Sequence, residues 1–280
     1  MINESWKFIF ASAAGTSHLA TATPCQDSSF CETVKGVGGA EVLIAVVADG
    51  AGSAKHAEVG AGLACSFISD RAKSAIQSQT PLREITRDIV TDWIAGYQTE
   101  VIAHCSGDLI PRDFASTLLA ALIGDSAAVF FQLGDGAIVI TDSEEPENYR
   151  WVFWPQQGQY ANETNFTTDE NAATKVDFSL VNRRIDEVSL FTDGVQTLTL
   201  DYEGRLAHSP FFAPVFEWLR TAPEQNSNKY TDSLKEFLNS ERINERTDDD
   251  KTIVIATRKA VATPEDSAQP DHENQESASL

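Results

Sequence analysis

The sequence predicts an α+β fold, with antiparallel sheets and helices packed outside them. Three observations carry this. Continuous β-branched runs such as Glu41–Ala48 read as strands buried on both faces. Two helical stretches with apolar residues four apart stand between groups of strands. The order of strands, two long helices, strands, helices and one strand lacks the regular βαβ alternation of a doubly wound sheet.

Trp6–Ala11 alternates large and small residues as a strand does, and Cys25–Val34 leads into a second strand. Glu41–Ala48 stops at Asp49-Gly50-Ala51-Gly52-Ser53, a turn-forming stretch. From His56, Val59, Leu63 and Phe67 recur at helical spacing, and Gly60, Ala61, Gly62 and Ala64 permit close packing. After Pro81, Ile85, Ile89, Trp93 and Tyr97 repeat the pattern. Ser116–Ile123, Ala127–Leu133 and Ala137–Thr141 are strands, the first two joined as a hairpin through Gly124-Asp125. Residues 143–178 are polar and irregular apart from Tyr149–Trp154, and so long a loop is usually functional or loosely ordered. Glu187–Thr192 is a buried strand ending at Asp193-Gly194. Residues 210–241 are helical in two pieces, and Thr252–Thr257 is a last strand entered through Asp248-Asp249-Asp250. Residues 1–259 thus read as one domain. Residues 260–280 form an acidic tail too poor in apolar residues to support a core, and disorder is expected there.

The net charge of −21 repels phosphate backbones, which argues against nucleic acid and against anionic membrane as partners. It also repels a phosphorylated substrate unless bound cations invert the local sign. Cys25, Cys31, Cys65 and Cys105 form no CxxC pair and no zinc-like spacing, so they read as reduced thiols. Phe8–Ala14 is apolar, but Glu4 and Lys7 break the order of a signal peptide, and no apolar run reaches the length of a membrane span. A cytoplasmic protein is expected.

Strongly apolar strands repeatedly meet an aspartate at one end. Asp49 follows IAVVA, Asp193 follows VSLFT, Asp135 follows VFFQLG, and Asp249 lies just before Lys251-Thr252-Ile253. Any single Asp-Gly is explained by a turn, because Asp bonds its own backbone and Gly tolerates positive φ. Recurrence at successive strand ends favours convergence on one point. Unpaired, such carboxylates repel one another and resist desolvation, and a divalent cation removes both penalties. Hard oxygen ligands suit Mg²⁺ or Mn²⁺ better than Zn²⁺.

The ordered motifs resemble a family. Asp27 in PCQDSSF, Asp49-Gly50 in IAVVADGAGSA, Ser116-Thr117 in FASTLLAALI, Gly134-Asp135-Gly136 in FFQLGDGAIVI, Asp193-Gly194 in SLFTDG and Asp249-Asp250-Lys251-Thr252 in DDDKTIVIA look like those of metal-dependent, type 2C serine/threonine protein phosphatases, closest to a divergent bacterial branch. The resemblance runs from about Trp6 to about Arg258. It implies a central antiparallel β-sandwich flanked on both sides by α-helices, with metals in a channel at one end. It implies hydrolysis of phosphoserine and phosphothreonine in proteins by a water activated between two cations. Asp49 would bridge both metals and the Gly50 carbonyl would face the second; Asp193 and Asp249 would hold the first. Asp27 would orient water on the second metal, and Asp135 with Asp193 would match a third, weaker site. The implied partner is a phosphorylated protein, with a cognate kinase, met by a monomeric enzyme in bacterial signalling.

The departures fall on residues that handle phosphate. The family's arginine five positions before Asp27 is Ala22 here, and the histidine of its Asp-Gly-His-Gly is Ala51. Gln26 replaces the acidic residue before Asp27, and Ala137 replaces the arginine that commonly follows the Gly-Asp-Ser motif. His18 and His56 are the candidate replacements for the missing acid, each also readable as a surface or cap residue. Neither occupies the family's position, so water is the expected proton source. Lys55 is the candidate for attracting substrate phosphate, or else a solvated lysine. Arg183 and Arg184 read as surface residues. Trp151, Phe153, Trp154 and Tyr160 fall in the family's variable flap, where packing onto the body is favoured over peptide contact. The sequons at Asn162 and Asn165 carry no meaning in a cytoplasmic chain.

Two other functions fit the sequence. One is a regulatory or binding protein that keeps the fold without turnover, suggested by Ala22 and Ala51. The other is a hydrolase of small phosphate esters. Cation-dependent hydrolysis of p-nitrophenyl phosphate separates the enzyme from the first, and comparison with a phosphopeptide addresses the second.

Overall fold

Along the chain come β1 (Lys7–Ala13), α1 (Thr16–Thr21), β2 (Asp27–Lys35) and β3 (Glu41–Asp49), then the long helices α2 (Ala57–Gln77) and α3 (Arg87–His104). Next are β4 (Leu118–Ile123), β5 (Ala128–Leu133), β6 (Ala137–Asp142), β7 (Arg150–Trp151), α4 (Ala172–Lys175), β8 (Asp177–Val181) and β9 (Ile185–Phe191). They are followed by α5 (Gln196–Thr199), β10 (Leu200–Asp201), β11 (Leu206–Ala207), α6 (Ser209–Thr221), α7 (Ser227–Leu238), α8 (Glu241–Asn244) and β12 (Lys251–Thr257). The structure, a computed structural model, describes residues 5–156, 164–223 and 227–258.

Two five-stranded sheets result, ordered β1-β12-β9-β6-β7 and β2-β3-β4-β5-β8, with antiparallel pairing between all neighbours. Their inner faces meet in one core, where Leu43, Val47, Leu119 and Phe130 face Ile138, Val188, Leu190 and Val254. The outer faces are covered as well. Ile44 and Val46 pack with Ile68 of α2 and Ile94 of α3, while Ile253 and Ile255 pack with Phe212 and Phe216 of α6. This is why β3 and β12 carry apolar residues at consecutive positions: both sides of each strand are buried. The expected β-sandwich flanked by helices is the observed architecture.

Several local expectations need correction. In α2 the buried face is the small-residue stripe of Gly60, Ala61, Ala64, Cys65, Ile68 and Ala72, whereas Val59 is 38% exposed. Close approach decides this: a Cβ on Gly60 would lie 2.1 Å from the Phe114 carbonyl oxygen. The region from 143 to 178 is less irregular than expected, since it contains α4 and the start of β8. Arg183 and Arg184 keep partly exposed side chains, as expected of surface residues, but each is ion-paired, Arg183 Nε 2.9 Å from buried Asp142 and Arg184 Nε 2.6 Å from Asp186.

The aromatic flap residues pack. Trp151 donates its indole N–H to the Arg205 carbonyl at 2.9 Å, Trp154 meets Tyr202 edge-on at 5.4 Å, and Phe153 joins the inter-sheet core. Asn165 is buried and accepts from Lys175 Nζ at 2.6 Å. Tyr160, Asn162 and the tail lie outside the described residues. The four cysteines are free thiols, two of them buried. No described helix is long and apolar enough to cross a membrane.

Candidate metal centre

The strand-end aspartates do converge. Asp49 ends β3, Asp193 follows β9 after Thr192, Asp135 lies between β5 and β6, and Asp249 lies just before β12. All four line one cleft of about 170 Å³, together with Gly50, Thr117, Thr164, Phe166, His18 and Asp250. Asp27, at the start of β2, pairs in register with Asp49 and is buried behind it.

Backbone contacts explain why these positions are fixed. The Asp49 carbonyl accepts from the Thr117 N–H at 2.7 Å, and the Asp49 N–H donates to Thr117 Oγ1 at 3.0 Å. The Gly50 N–H donates to the Gln26 carbonyl, and Ala51 to that of Ala115. The turn after β3 is thus bound to strands on both sides, and Ser116-Thr117 serve as its anchor. Gly50 must be glycine, since a Cβ there would lie 2.5 Å from the Ala57 carbonyl oxygen. At the opposite wall a Cβ on Gly194 would lie 1.8 Å from the Asp250 carbonyl oxygen, so the Asp193 turn and the Asp249 segment are packed backbone to backbone.

The electrostatics are those of carboxylates without a counter-charge. Burial pushes Asp27 up to about 8; Thr252 and Thr192 hydroxyls oppose this, and Asp250 and Asp193 add to it. Asp49 is held well above the usual carboxylate range by burial and by the charges of Asp27, Asp193 and Asp135, and it shares a hydrogen bond with Asp193. Burial, then Asp135 and Asp249, raises Asp193 to about 6. Burial also raises Asp135, against the hydroxyl of Thr164, which donates to Asp135 Oδ2 at 2.6 Å.

Among the described residues no group of three or more His, Cys, Asp or Glu side chains closes tightly enough to hold an ion by itself. The donor set nevertheless suits hard divalent cations. It is all oxygen, and Asp27 Oδ1 and Asp193 Oδ1 are buried without a hydrogen-bond partner. Two ions that keep several waters need fewer protein oxygens each than one fully caged ion.

The remaining candidates separate. His18 lines the cleft, with Nδ1 2.9 Å from Asp250 Oδ2. His56 lies off it, stacked on Phe114 at 5.4 Å. Lys55 is likewise off the cleft wall, paired with Asp113 at 3.3 Å and largely exposed. Among the described residues no Arg or Lys lines the cleft. Ala22 caps α1 in a left-handed conformation and Ala51 is buried in the turn. Sequence reasoning passed over Asp250 as an individual residue. Its carboxylate accepts from the Gly15 N–H at 2.7 Å and the Gln26 N–H at 2.5 Å, besides facing His18. The run of three aspartates was visible, but nothing local distinguishes the one turned inward.

Comparison with known proteins gives the family and the fold. Residues 14–239 match the family described as Protein phosphatase 2C. The chain is 33% identical over 255 residues to Serine/threonine-protein phosphatase 3 of Escherichia coli (strain K12), covering 90% of this chain and 98% of that one. A crystal structure of a bacterial serine phosphatase superposes with a TM-score of 0.59 at 13% identity, over 92% of this chain and all of that one. Serine/threonine phosphatase Stp1 from Staphylococcus aureus superposes with a TM-score of 0.56 at 14% identity, over 90% and 95% of the two chains. At such identities the superpositions speak for the fold alone.

Proposed function

Because this chain belongs to the protein phosphatase 2C family, we propose that it hydrolyses phosphoserine and phosphothreonine in proteins with the help of two or three divalent cations, Mg²⁺ or Mn²⁺. The observation that carries this reading is one cleft walled by Asp49, Asp135, Asp193 and Asp249, with Asp27 buried behind Asp49. Four separate chain segments bring acidic groups to one place, where burial and then the charges of Asp27, Asp193 and Asp135 raise Asp49, and burial and then those of Asp135 and Asp249 raise Asp193, a costly arrangement that bound cations relieve.

In this reading Asp49 would hold both main cations and the Gly50 carbonyl the second, Asp193 and Asp249 would hold the first, and Asp27 would serve the second through water. Asp135 with Asp193 would serve a third. Bound there, the cations supply a nucleophilic water at neutral pH and neutralise the phosphoryl oxygens. The chain's own residues do the rest. Thr117 fixes Asp49 through two backbone contacts, Thr164 orients Asp135, and Thr192 donates to Asp27 Oδ2 at 2.9 Å. With no Arg or Lys among the described lining residues, and with the Gly50 and Ala51 amides already donated to the Gln26 and Ala115 carbonyls, attraction of a phosphate dianion would fall to the cations.

The reading extends to a cytoplasmic monomer acting on proteins phosphorylated by a cognate kinase. Its free thiols suit a reducing compartment. The test is removal and return of metal: chelated protein should lose hydrolysis of both p-nitrophenyl phosphate and a phosphoserine peptide, and Mn²⁺ or Mg²⁺ should restore it. Full activity after verified metal removal would refute the reading. Restored activity on small esters alone would reassign the substrate.

A further inference from the structure

Phosphoserine has an alkoxide leaving group, which departs poorly unless its oxygen gains a proton as the P–O bond breaks. The position at which the family carries a histidine is Ala51, buried in the turn and without a titratable group. The cleft nevertheless contains an imidazole, brought there by a different part of the chain.

His18 lies on α1, a six-residue helix with no buried residue of its own, so its position depends on what holds it from outside. The holding segment is residues 248–250. The Ser17 N–H and hydroxyl both donate to the Asp248 carbonyl, at 3.0 and 2.6 Å. The Gly15 N–H donates to Asp250 Oδ1 at 2.7 Å, and a Cβ on Gly15 would lie 2.3 Å from the Asp248 carbonyl oxygen. The segment that delivers Asp249 to the cleft therefore delivers His18 as well.

The ring is itself oriented. Nδ1 is buried 2.9 Å from Asp250 Oδ2, a charge contact rather than an aligned hydrogen bond, and Asp250 is 3% exposed. His18 retains 19% exposure on the cleft side. A buried carboxylate beside one nitrogen fixes the ring while the side chain still lines the cleft, the division of labour that suits a histidine to hand over a proton from its other nitrogen. His56, stacked on Phe114 away from the cleft, has none of these features.

We infer that His18, positioned by Asp250, is the general acid that protonates the serine or threonine oxygen leaving phosphorus. This rests on the phosphatase reading above and replaces the expectation that water is the proton source. Water oxygen bonds to phosphorus while the P–O bond to the side chain breaks. The electron pair of that bond stays on the side-chain oxygen, which takes the proton from His18 Nε2. The attacking water gives up a proton to solvent, and the imidazole regains one from solvent. The products are a free hydroxyl and inorganic phosphate, with no oxidant or reductant needed. Asp250 is a positioning residue in this scheme.

The test compares two leaving groups in the metal-loaded, full-length protein. p-Nitrophenolate departs without a proton; the serine oxygen does not. His18→Gln should lower kcat on a phosphoserine peptide by about 10²–10⁴-fold, the usual worth of general acid catalysis, and lower kcat on p-nitrophenyl phosphate far less. Asp250→Asn should show the same selectivity in weaker form, on kcat rather than KM. His56→Ala should move both substrates equally. Thermal melting with and without Mn²⁺ establishes that each variant folds and binds metal. If His18→Gln does not fold, wild-type rates across aryl phosphates of rising leaving-group pKa decide: a shallow dependence supports the assignment and a steep one overturns it. Equal losses on both substrates in a folded His18→Gln protein would overturn the role of His18 alone. Absence of turnover in the wild-type protein would overturn the phosphatase reading with it.

Discussion

Asp27 and Asp49 face each other across the last rung of the β2–β3 ladder, two carboxylates on adjacent strands. Like charges directly opposite in a sheet destabilise it, and here burial prevents water from screening them.

The first expected outcome is a pH dependence of the metal-free protein. Asp27 is raised from 3.8 to about 8 and Asp193 from 3.8 to about 6 in the folded state. A raised carboxyl favours folding while it is protonated, so this contribution is complete below about pH 4 and is lost as pH rises through 6 and then 8. Melting temperatures of chelated protein should fall between pH 5 and pH 8, and Asp27→Asn should flatten that fall. An equal slope in the variant would remove Asp27 as its source.

Metal should reverse the loss. At a hundredfold excess over its dissociation constant a ligand stabilises by about 2.7 kcal/mol. Asp49→Asn should blunt the Mn²⁺-induced rise in Tm more than Asp135→Asn, because Asp49 is assigned to both main ions. A wild-type response in Asp49→Asn would contradict that assignment.

Asp193→Ala should nearly abolish turnover on every substrate, by more than about 100-fold, the upper end of what loss of an outer-shell partner costs. Steady-state rates at saturating Mn²⁺ measure it. A selective effect on one substrate would place Asp193 in recognition instead.

Gly194→Ala should destabilise the protein by about 1–3 kcal/mol, the usual cost of forcing atoms into a filled site. The added Cβ meets the Asp250 backbone, which cannot swing away as a side chain can. Activity should fall as well, since the same displacement moves the Asp249 segment. Denaturant unfolding of the variant provides the measurement.

Ending the chain at Lys259 should leave fold and metal-dependent turnover intact. The acidic residues beyond it repel a phosphorylated substrate rather than bind it. A large fall in turnover would place the tail in the cleft.

Strands buried on both faces announce themselves by continuous apolar runs, so β3 and β12 were legible, as was the apolar end of β9, and so were the aspartates that end, follow or precede them. Strand β8 was not, because DFSLV is half-buried along its whole length at a sheet edge and shows no alternation. Helix α1 was missed for a related reason: six residues without a buried face carry no periodic signal. Of the apolar repeat Val59-Leu63-Phe67 in α2, Leu63 and Phe67 pack against the core while Val59 is exposed, because backbone proximity at Gly60 puts the small residues on the most buried face.

The sequence by itself determined which carboxylates stand at strand ends and in what order, since local runs and turns encode both. Only the tertiary structure decided that His18 and not His56 reaches the cleft, and that Asp250 among three consecutive aspartates turns inward to meet it. Those choices rest on contacts between residues more than two hundred positions apart, Gly15 and Gln26 with Asp250, and no local pattern records them.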